Sequence, residues 1–204
     1  MPHGEYSPLD YLPRRLYAKE IANPYLVISS FFDSYALPQA VWFLKSWFKA
    51  VSKNSYWKKE DPGRLLHFHE RLGCPVEACF LIHQSGNQHE EAIIIQKEDG
   101  PKIDLMNPAH FASTHVNNDN WDFFPRSLSR KEYLNPYLAI DKFFKYQTLP
   151  EWRDTLYELL YNAFTSHPDV AGQDLLDIYK SVWKLVESGH LIKTRAYIKI
   201  INYI

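Results

Sequence analysis

Two stretches of this sequence match each other over 26 consecutive positions without a gap. Residues 13–38, PRRLYAKEIANPYLVISSFFDSYALP, align with residues 125–150, PRSLSRKEYLNPYLAIDKFFKYQTLP, at an offset of 112, and 14 of the 26 positions are identical. A weaker match follows in the same order, where residues 65–83 align with residues 175–193 at an offset of 110. Self-similarity at a fixed spacing predicts a tandem internal duplication, in which both copies fold alike.

The first two helices of each copy are predicted from their start signals and their apolar spacing. Asn-Pro at 23–24 and at 135–136 suits a helix start, because Asn favours the N-cap and Pro the first helical position. A second helix should begin near Leu-Pro in each copy, with Thr148 and Glu151 forming a T-x-x-E capping box in the second. Apolar residues at i, i+3, i+4 and i+7 then predict the buried faces. These residues are Ile28, Phe31, Phe32 and Tyr35, then Leu44, Trp47, Phe48 and Val51, with Leu156, Leu159, Leu160 and Ala163 in the second copy.

The third helix is predicted over about residues 62–84 and 171–193, with Pro75 kinking or breaking the first of these. Each copy has roughly 70 residues, which is marginal for independent stability, so the two copies are expected to share a core. The sequence therefore predicts a mainly α fold, in which two homologous three-helix units pack as one pseudo-twofold helical body.

The segment between the copies has a different pattern. Residues 92–95, AIII, and residues 103–105, IDL, flank the turn sequence EDGP, which predicts a small β-hairpin. The tail, residues 195–204, fits either a strand or an extension of the last helix. The predicted organisation is a first helical unit plus hairpin over residues 1–108, a connecting loop over residues 109–124, and a second helical unit plus tail over residues 125–204.

Composition excludes several classes of function. The formal net charge is −1, without the basic excess of dedicated DNA- or RNA-binding proteins, so no nucleic-acid partner is predicted. Cys74 and Cys79 are five residues apart, which is neither a redox nor a zinc-ribbon spacing. No stretch approaches the ~20 apolar residues of a membrane span, and the N-terminus lacks the apolar region of a secretory signal. We therefore expect a soluble, cytoplasmic protein with no membrane partner.

Sequence motifs of the common enzyme classes are absent. The chain has no Gly-rich phosphate loop, no G-x-S-x-G and no H-E-x-x-H, and its seven glycines are too scattered for a dinucleotide site. The sequence therefore predicts no cofactor and favours a noncatalytic role.

The sharpest candidate for catalysis is the pair Arg64 and His69, an R-x4-H spacing on the predicted third helix. This spacing resembles the R-x4–6-H motif of HEPN-type ribonucleases, which are all-helical domains. The resemblance implies RNA cleavage by Arg64 and His69, usually across a dimer. It covers two residues and is not repeated in the second copy, where Asp174 and Tyr179 hold the matching positions. An exposed arginine beside a packed histidine is the alternative interpretation.

A basic stripe is the candidate binding surface. Lys45, Lys49 and Lys53 are spaced at i, i+4 and i+8 on the second helix, with Trp42 and Trp57 nearby. Basic side chains interleaved with aromatic rings can hold single-stranded nucleic acid, whereas the alternative is a solvated helix face.

A metal site is considered for the stretch that contains His67, His69, Cys74, Cys79, His83 and His89. Residues two apart on a helix point to different sides, so His67 and His69 cannot bind one metal from a regular helix. No metal site is predicted.

Some ionisable residues recur between the copies, although surface charges usually diverge. Arg14 and Glu77 recur as Arg126 and Glu187, which fits either a buried ion pair or a repeated ligand site. The sequence as a whole predicts an interaction or regulatory module that binds a protein, a peptide or a small ligand. Ligand sites favour interfaces, so the groove between the two units is the expected place. The oligomeric state is left open, a homodimer included.

Overall fold

The computed structural model describes residues 6–53, 56–86, 95, 105–112, 120–165 and 175–201. Within these residues the chain is mainly helical, with eight α-helices and no β-strand. None of these helices combines the length and the apolar composition that crossing a lipid bilayer requires. The helices are α1 (Ala18–Ala22), α2 (Tyr25–Ser34), α3 (Leu37–Ser52), α4 (Pro62–Gln84), α5 (Arg130–Leu134), α6 (Tyr137–Tyr146), α7 (Leu149–Ala163) and α8 (Leu175–Ile201).

The helix bounds follow the numbering of the sequence match. The starts of α1, α2 and α3 recur as the starts of α5, α6 and α7 at the offset of the gapless match. Two short 3-10 turns, Pro8–Tyr11 and Asn120–Phe123, recur at the same offset, ahead of the first helix in each case. We refer to residues 8–84 as the first half and to residues 120–201 as the second half.

The number of helices in each half differs from the three predicted. A five-residue helix, α1 or α5, precedes the Asn-Pro pair, and the asparagine ends this helix instead of starting the next. The capping carboxylates of Glu20 and Glu132 accept hydrogen bonds from the N–H groups of Tyr17 and Ser129, both at 2.8 Å. The prediction of three-helix units was wrong because a helix this short shows no apolar periodicity. The capping box of Ser129 and Glu132 is present.

The predicted apolar stripes are confirmed. All twelve stripe residues on α2, α3 and α7, with Tyr35 just beyond the end of α2, are buried. The T-x-x-E capping box is also confirmed, since the Thr148 N–H donates to the Glu151 carboxylate at 2.6 Å. These helices form close to where they were predicted because their apolar residues share one buried face.

The helix α4 runs unbroken from Pro62 to Gln84 with Pro75 inside it. A proline in a helix interior removes a hydrogen bond and normally breaks or kinks the helix. Here Pro75 is buried and lines a small void together with Phe31 and Leu185. Of the predicted kink or break, the break does not occur, because packing against α2 and α8 holds this turn in place.

The two halves interleave. The helix α3 packs more extensively on α8 than on α4, and α7 packs on α4. The Oη atoms of Tyr25 and Tyr137 lie 3.1 Å apart, and the Trp47 indole N–H donates to the Leu159 carbonyl at 3.1 Å. In each of these pairs the two residues hold equivalent positions of the sequence match. One hydrophobic core therefore takes side chains from helices of both halves.

The segments around the second half give mixed outcomes. The β-hairpin predicted for residues 92–105 lies outside the described residues apart from Ile95 and Leu105, and neither of these two is in a strand. The described part of the tail is helical, because α8 continues to Ile201. Within the segment predicted as a connecting loop, Phe111 is fully buried and belongs to a small second cluster with Tyr133.

Candidate functional site

The predicted catalytic pair is not brought together. Arg64 is exposed on α4, and its guanidinium lies 2.9 Å from the Glu60 carboxylate. His69 is buried, with its ring edge-on to Trp47. Five helical residues rotate the chain by roughly 140°, so the two side chains leave α4 in different directions. Burial lowers the pKa of His69 to about 4, which leaves a neutral imidazole without solvent contact at neutral pH. This geometry weighs against a shared RNA substrate within one chain.

The predicted basic surface is only partly available to a ligand. Lys45 and Lys49 on α3, and Lys53 just beyond its end, are all exposed. The Lys45 ammonium lies 4.7 Å from the centre of the Trp183 ring. Trp42 is 40% exposed, but Trp57 is 5% exposed and stacks in the core, so it cannot receive a base. The stripe is thus a set of cations with one accessible ring.

Two of the histidines considered for metal binding have other partners. His67 Nδ1 lies 2.7 Å from the Tyr35 hydroxyl, and His83 Nδ1 lies 2.8 Å from the Asp141 carboxylate. Both cysteines are free thiols, and burial raises the pKa of Cys79 to about 12. Three or more potential metal ligands do not converge anywhere in the described part of the chain. His89 lies outside the described residues.

A buried carboxylate at one end of the molecule is closed by an arginine. We call this the Glu77 end, and it is formed by residues 8–15, α4 and α7. Glu77 Oε2 accepts from the N–H groups of Arg14 and Arg15, both at 2.8 Å. Its Oε1 accepts from Arg153 Nε and Nη2 at 3.1 and 2.7 Å. The same guanidinium donates to the carbonyls of Asp10 and Leu12, so each of its three nitrogens donates a hydrogen bond.

The equivalent carboxylate at the other end has no such partner. We call this the Glu187 end, and it is formed by residues 120–127, α8 and α3. Glu187 is 2% exposed and accepts from the N–H groups of Arg126 and Ser127 at 2.7 and 2.8 Å. Among the described residues it forms no ion pair with a side chain. The residue that matches Arg153 at the offset of 112 is Val41, which is too short and too apolar to reach Glu187 as an arginine does.

A pocket of about 140 Å³ lies where the arginine is missing. It is lined by Glu187, together with Asp122 and Phe124, which hold the positions of Asp10 and Leu12. Its apolar lining comes from Leu37, Pro38, Val41 and Trp183. Lys45 and Arg126 also line it, so its surface is about as polar as it is apolar.

The walls of the two ends differ in one further exchange. A side chain at Gly73 would collide with Arg15, since an added Cβ would lie 1.7 Å from its Nη1. The matching residues at the other end are Trp183 and Ser127, so a large ring replaces the glycine while a small hydroxyl replaces the arginine. The Ser127 hydroxyl donates to Glu187 Oε2. The indole of Trp183 therefore lies beside the pocket, whereas the long cationic side chain of Arg15 lies at the Glu77 end.

A second, larger cleft of about 310 Å³ lies between α6 and α8. Lys142 and Lys184 line it, and both bind Glu132, whose side chain is fully buried. Burial alone would raise the pKa of Glu132, but hydrogen bonds from Lys142, the Ser129 amide and Lys184 lower it to about 2. The cations of this cleft are therefore already neutralised in part.

The matching groove of the first half is also closed by an arginine. Arg71 crosses from α4 to α2 and donates to the hydroxyls of Ser30 and Ser34 at 3.1 and 3.4 Å. The residue that matches Arg71 at the offset of 110 is Ser181, which lines the open cleft. Each cavity is thus lined by a small residue, Val41 or Ser181, whose counterpart in the sequence match is an arginine.

Sequence reasoning missed Val41, Arg153, Trp183 and Ser181, although it noted that Glu77 and Glu187 recur. A signal for these sites was available in the sequence match, at the positions where one copy has an arginine and the other has a small residue. Comparisons with known protein families, curated proteins and solved structures gave no match to this chain.

Proposed function

We propose that this protein is a noncatalytic interaction module whose ligand binds in the pocket of the Glu187 end. The observation that carries the proposal is the presence of Val41 where the other end has Arg153. A site that the chain fills with its own side chain at one end is left open at the other. The carboxylate that the missing arginine would bind is still buried there.

We further propose that the chain is a duplicated helical unit whose copies are related by a pseudo-twofold axis. Support comes from the helix bounds, which recur at the offset of the sequence match. Contacts between equivalent residues, Tyr25 with Tyr137 and Trp47 with Leu159, are those expected beside such an axis. On this basis the two ends are copies of one ancestral site, and their differences are changes made after duplication.

The shape and chemistry of the pocket favour binding over catalysis. A volume of about 140 Å³ is below the ~300–1,000 Å³ of sites for drug-sized molecules, so it suits one side chain or a small group. Its carboxylate is held by two backbone N–H groups, which fixes its position for recognition. A partner protein or peptide that inserts a side chain is the occupant we propose. The two thiols are free, and we expect the module to work in the reducing cytoplasm.

The test is a binding screen observed by NMR on the ¹⁵N-labelled protein. The probes are capped amino-acid amides with acidic, basic, aromatic and aliphatic side chains, and the control protein is the Val41→Arg variant. The proposal expects at least one probe to shift the amide signals of Arg126 and Ser127 in the parent and not in the variant. Absence of any shift, or equal shifts in both proteins, would refute it.

A further inference from the structure

We infer that the group recognised at the Glu187 end is a guanidinium, supplied by an arginine side chain of a partner polypeptide. This inference rests on the proposed function and names the chemistry of its ligand. It is drawn from the Glu77 end, where the molecule already contains an occupied version of the site.

In the occupied site three hydrogen-bond acceptors surround the planar guanidinium of Arg153. Arg153 donates to the carboxylate of Glu77 through Nε and Nη2, to the carbonyl of Asp10 through Nη1, and to the carbonyl of Leu12 through Nη2. A planar guanidinium can satisfy all three at once because its five N–H groups point outward in a fixed fork. An ammonium, with three donors around one nitrogen, would fit this arrangement less well.

The open site has a residue at each of the three positions whose counterparts accept from Arg153, with a phenylalanine in place of Leu12. Glu187 matches Glu77 at the offset of 110, and Asp122 and Phe124 match Asp10 and Leu12 at the offset of 112. All three line the pocket. The Oε1 atom of Glu187 accepts one N–H, from Arg126, so it keeps capacity for a further donor. The site is thus arranged for a guanidinium, and Val41 does not supply one.

The walls fit the rest of an arginine side chain. Leu37, Pro38 and Val41 provide apolar surface for its methylene groups, and the indole of Trp183 offers a face on which a guanidinium can stack. Lys45 now lies over that ring and would have to move aside. The matching residue at the Glu77 end is Tyr157, which is neutral. Lys45 therefore repels a cationic ligand and lowers the affinity of the pocket for it.

The arginine closest to the pocket does not fill it. The Arg126 guanidinium points to the Asp122 carboxylate at 3.9 Å and the Trp121 carbonyl at 3.5 Å, and its side chain is 60% exposed. Arg14 at the other end makes the matching contact with Asp10, next to the occupied site. Arg126 therefore leaves room for a second guanidinium at Glu187, as Arg14 does for Arg153 at Glu77.

The experiment is a titration of the full chain with ethylguanidinium and, as a matched control, with ethylammonium. The reporters are the amide signals of Arg126 and Ser127, whose N–H groups bond Glu187. We expect ethylguanidinium to shift them with a dissociation constant at least tenfold lower than that of ethylammonium. Equal affinities, or binding of ethylammonium alone, would overturn the inference.

Three variants separate the pocket from other acidic sites. Val41→Arg should abolish the ethylguanidinium shifts, and Lys45→Tyr should lower the dissociation constant severalfold. Arg153→Val should create a second site, seen as new shifts at Arg14 and Arg15. Unchanged binding in Val41→Arg together with unchanged binding in Lys45→Tyr would overturn the assignment to this pocket. If Val41→Arg fails to fold, the Lys45→Tyr result alone decides.

A last comparison identifies the source of the group. We expect the capped tripeptide Ala-Arg-Ala to bind more tightly than ethylguanidinium, because a polypeptide partner would add contacts at the rim. Equal affinities would overturn the assignment to a polypeptide. The outcome also separates this inference from the proposed function, because a pocket that binds only probes of another chemistry refutes the guanidinium and leaves the module in place. A pocket that binds nothing refutes both.

Discussion

The Glu77 end and the Glu187 end use the same framework and differ in what completes it. At both, a buried glutamate on a long helix accepts two backbone N–H groups from the segment that follows a short 3-10 turn. Arg153 completes the first, whereas Val41 leaves a pocket beside the second. One side chain, supplied by a helix of the other half, thus decides whether a buried ion pair or an open pocket results.

The largest expected effect is a loss of stability in acid to which a buried histidine of each half contributes. Burial lowers the pKa values of His69 on α4 and His190 on α8 from 6.5 to about 4. Each histidine binds a proton more tightly in the unfolded chain than in the folded one. The contribution of the two histidines to stability is therefore constant above about pH 6.5 and falls as the pH drops toward 4. We expect a loss of ~3 kcal/mol per histidine at pH 4. Urea unfolding at several pH values measures this.

The matched variants for this prediction are His69→Gln and His190→Gln, each of which replaces the titrating ring by a neutral amide. The second keeps a donor for the Phe111 carbonyl, which lies 2.7 Å from His190 Nε2. Each variant should lose about half of the acid-dependent slope between pH 6.5 and 4. A slope that both variants retain in full would show that the histidines are not the titrating groups.

A comparable effect is expected from opening the closed end. Arg153→Val copies the residue of the Glu187 end and removes a guanidinium that is 16% exposed. Leaving Glu77 without its ion partner should lower the free energy of unfolding by about 3 kcal/mol, since two N–H groups still bind the carboxylate. The control is Arg64→Val, which breaks an exposed i,i+4 pair and should cost about 1 kcal/mol or less. Similar losses in both variants would mean that Arg153 does not complete a buried site.

The capping glutamates offer a smaller contrast between the halves. Glu132 is fully buried and bonds Lys142 and Lys184, whereas its counterpart Glu20 bonds only the Tyr17 N–H among the described contacts. We expect Glu132→Gln to cost about 2 kcal/mol and Glu20→Gln well under half of that.

The pH dependence of this contrast has a defined sign. The folded state lowers the pKa of Glu132 to about 2 from 4.5, so its contribution is complete above pH 4.5 and disappears as the pH falls through 2. Unfolding of both variants by urea at pH 7 and at low pH checks this. A Glu132→Gln cost that stays constant down to pH 2 would contradict the assignment.

The local features of this fold could be predicted from the sequence, and the site could not. Helix starts, capping boxes and apolar stripes depend on residues within one or two turns, so they are visible in the chain itself. The burial of His69 was also visible, because it falls within the stripe formed by Leu65, Phe68, Leu72 and Val76. Its burial agrees with the alternative interpretation of an exposed arginine beside a packed histidine.

The contact between Glu77 and Arg153 joins residues 76 apart in different halves, and no local pattern marks it. It depends on α7 packing on α4 instead of on the helix that follows it, which only the tertiary structure shows. The short helices α1 and α5 were missed for a related reason, since their stability comes from one capping glutamate each and not from a repeated apolar face.

The most direct test of the account is a crystal structure of the Val41→Arg variant, together with its free energy of unfolding. The account predicts that the new guanidinium enters the pocket, donates to Glu187 Oε1 and to the carbonyls of Asp122 and Phe124, and raises stability by about 1 kcal/mol. An arginine that extends into solvent, with the pocket still open and stability unchanged or lower, would contradict it. The two ends would then share a framework without sharing a site.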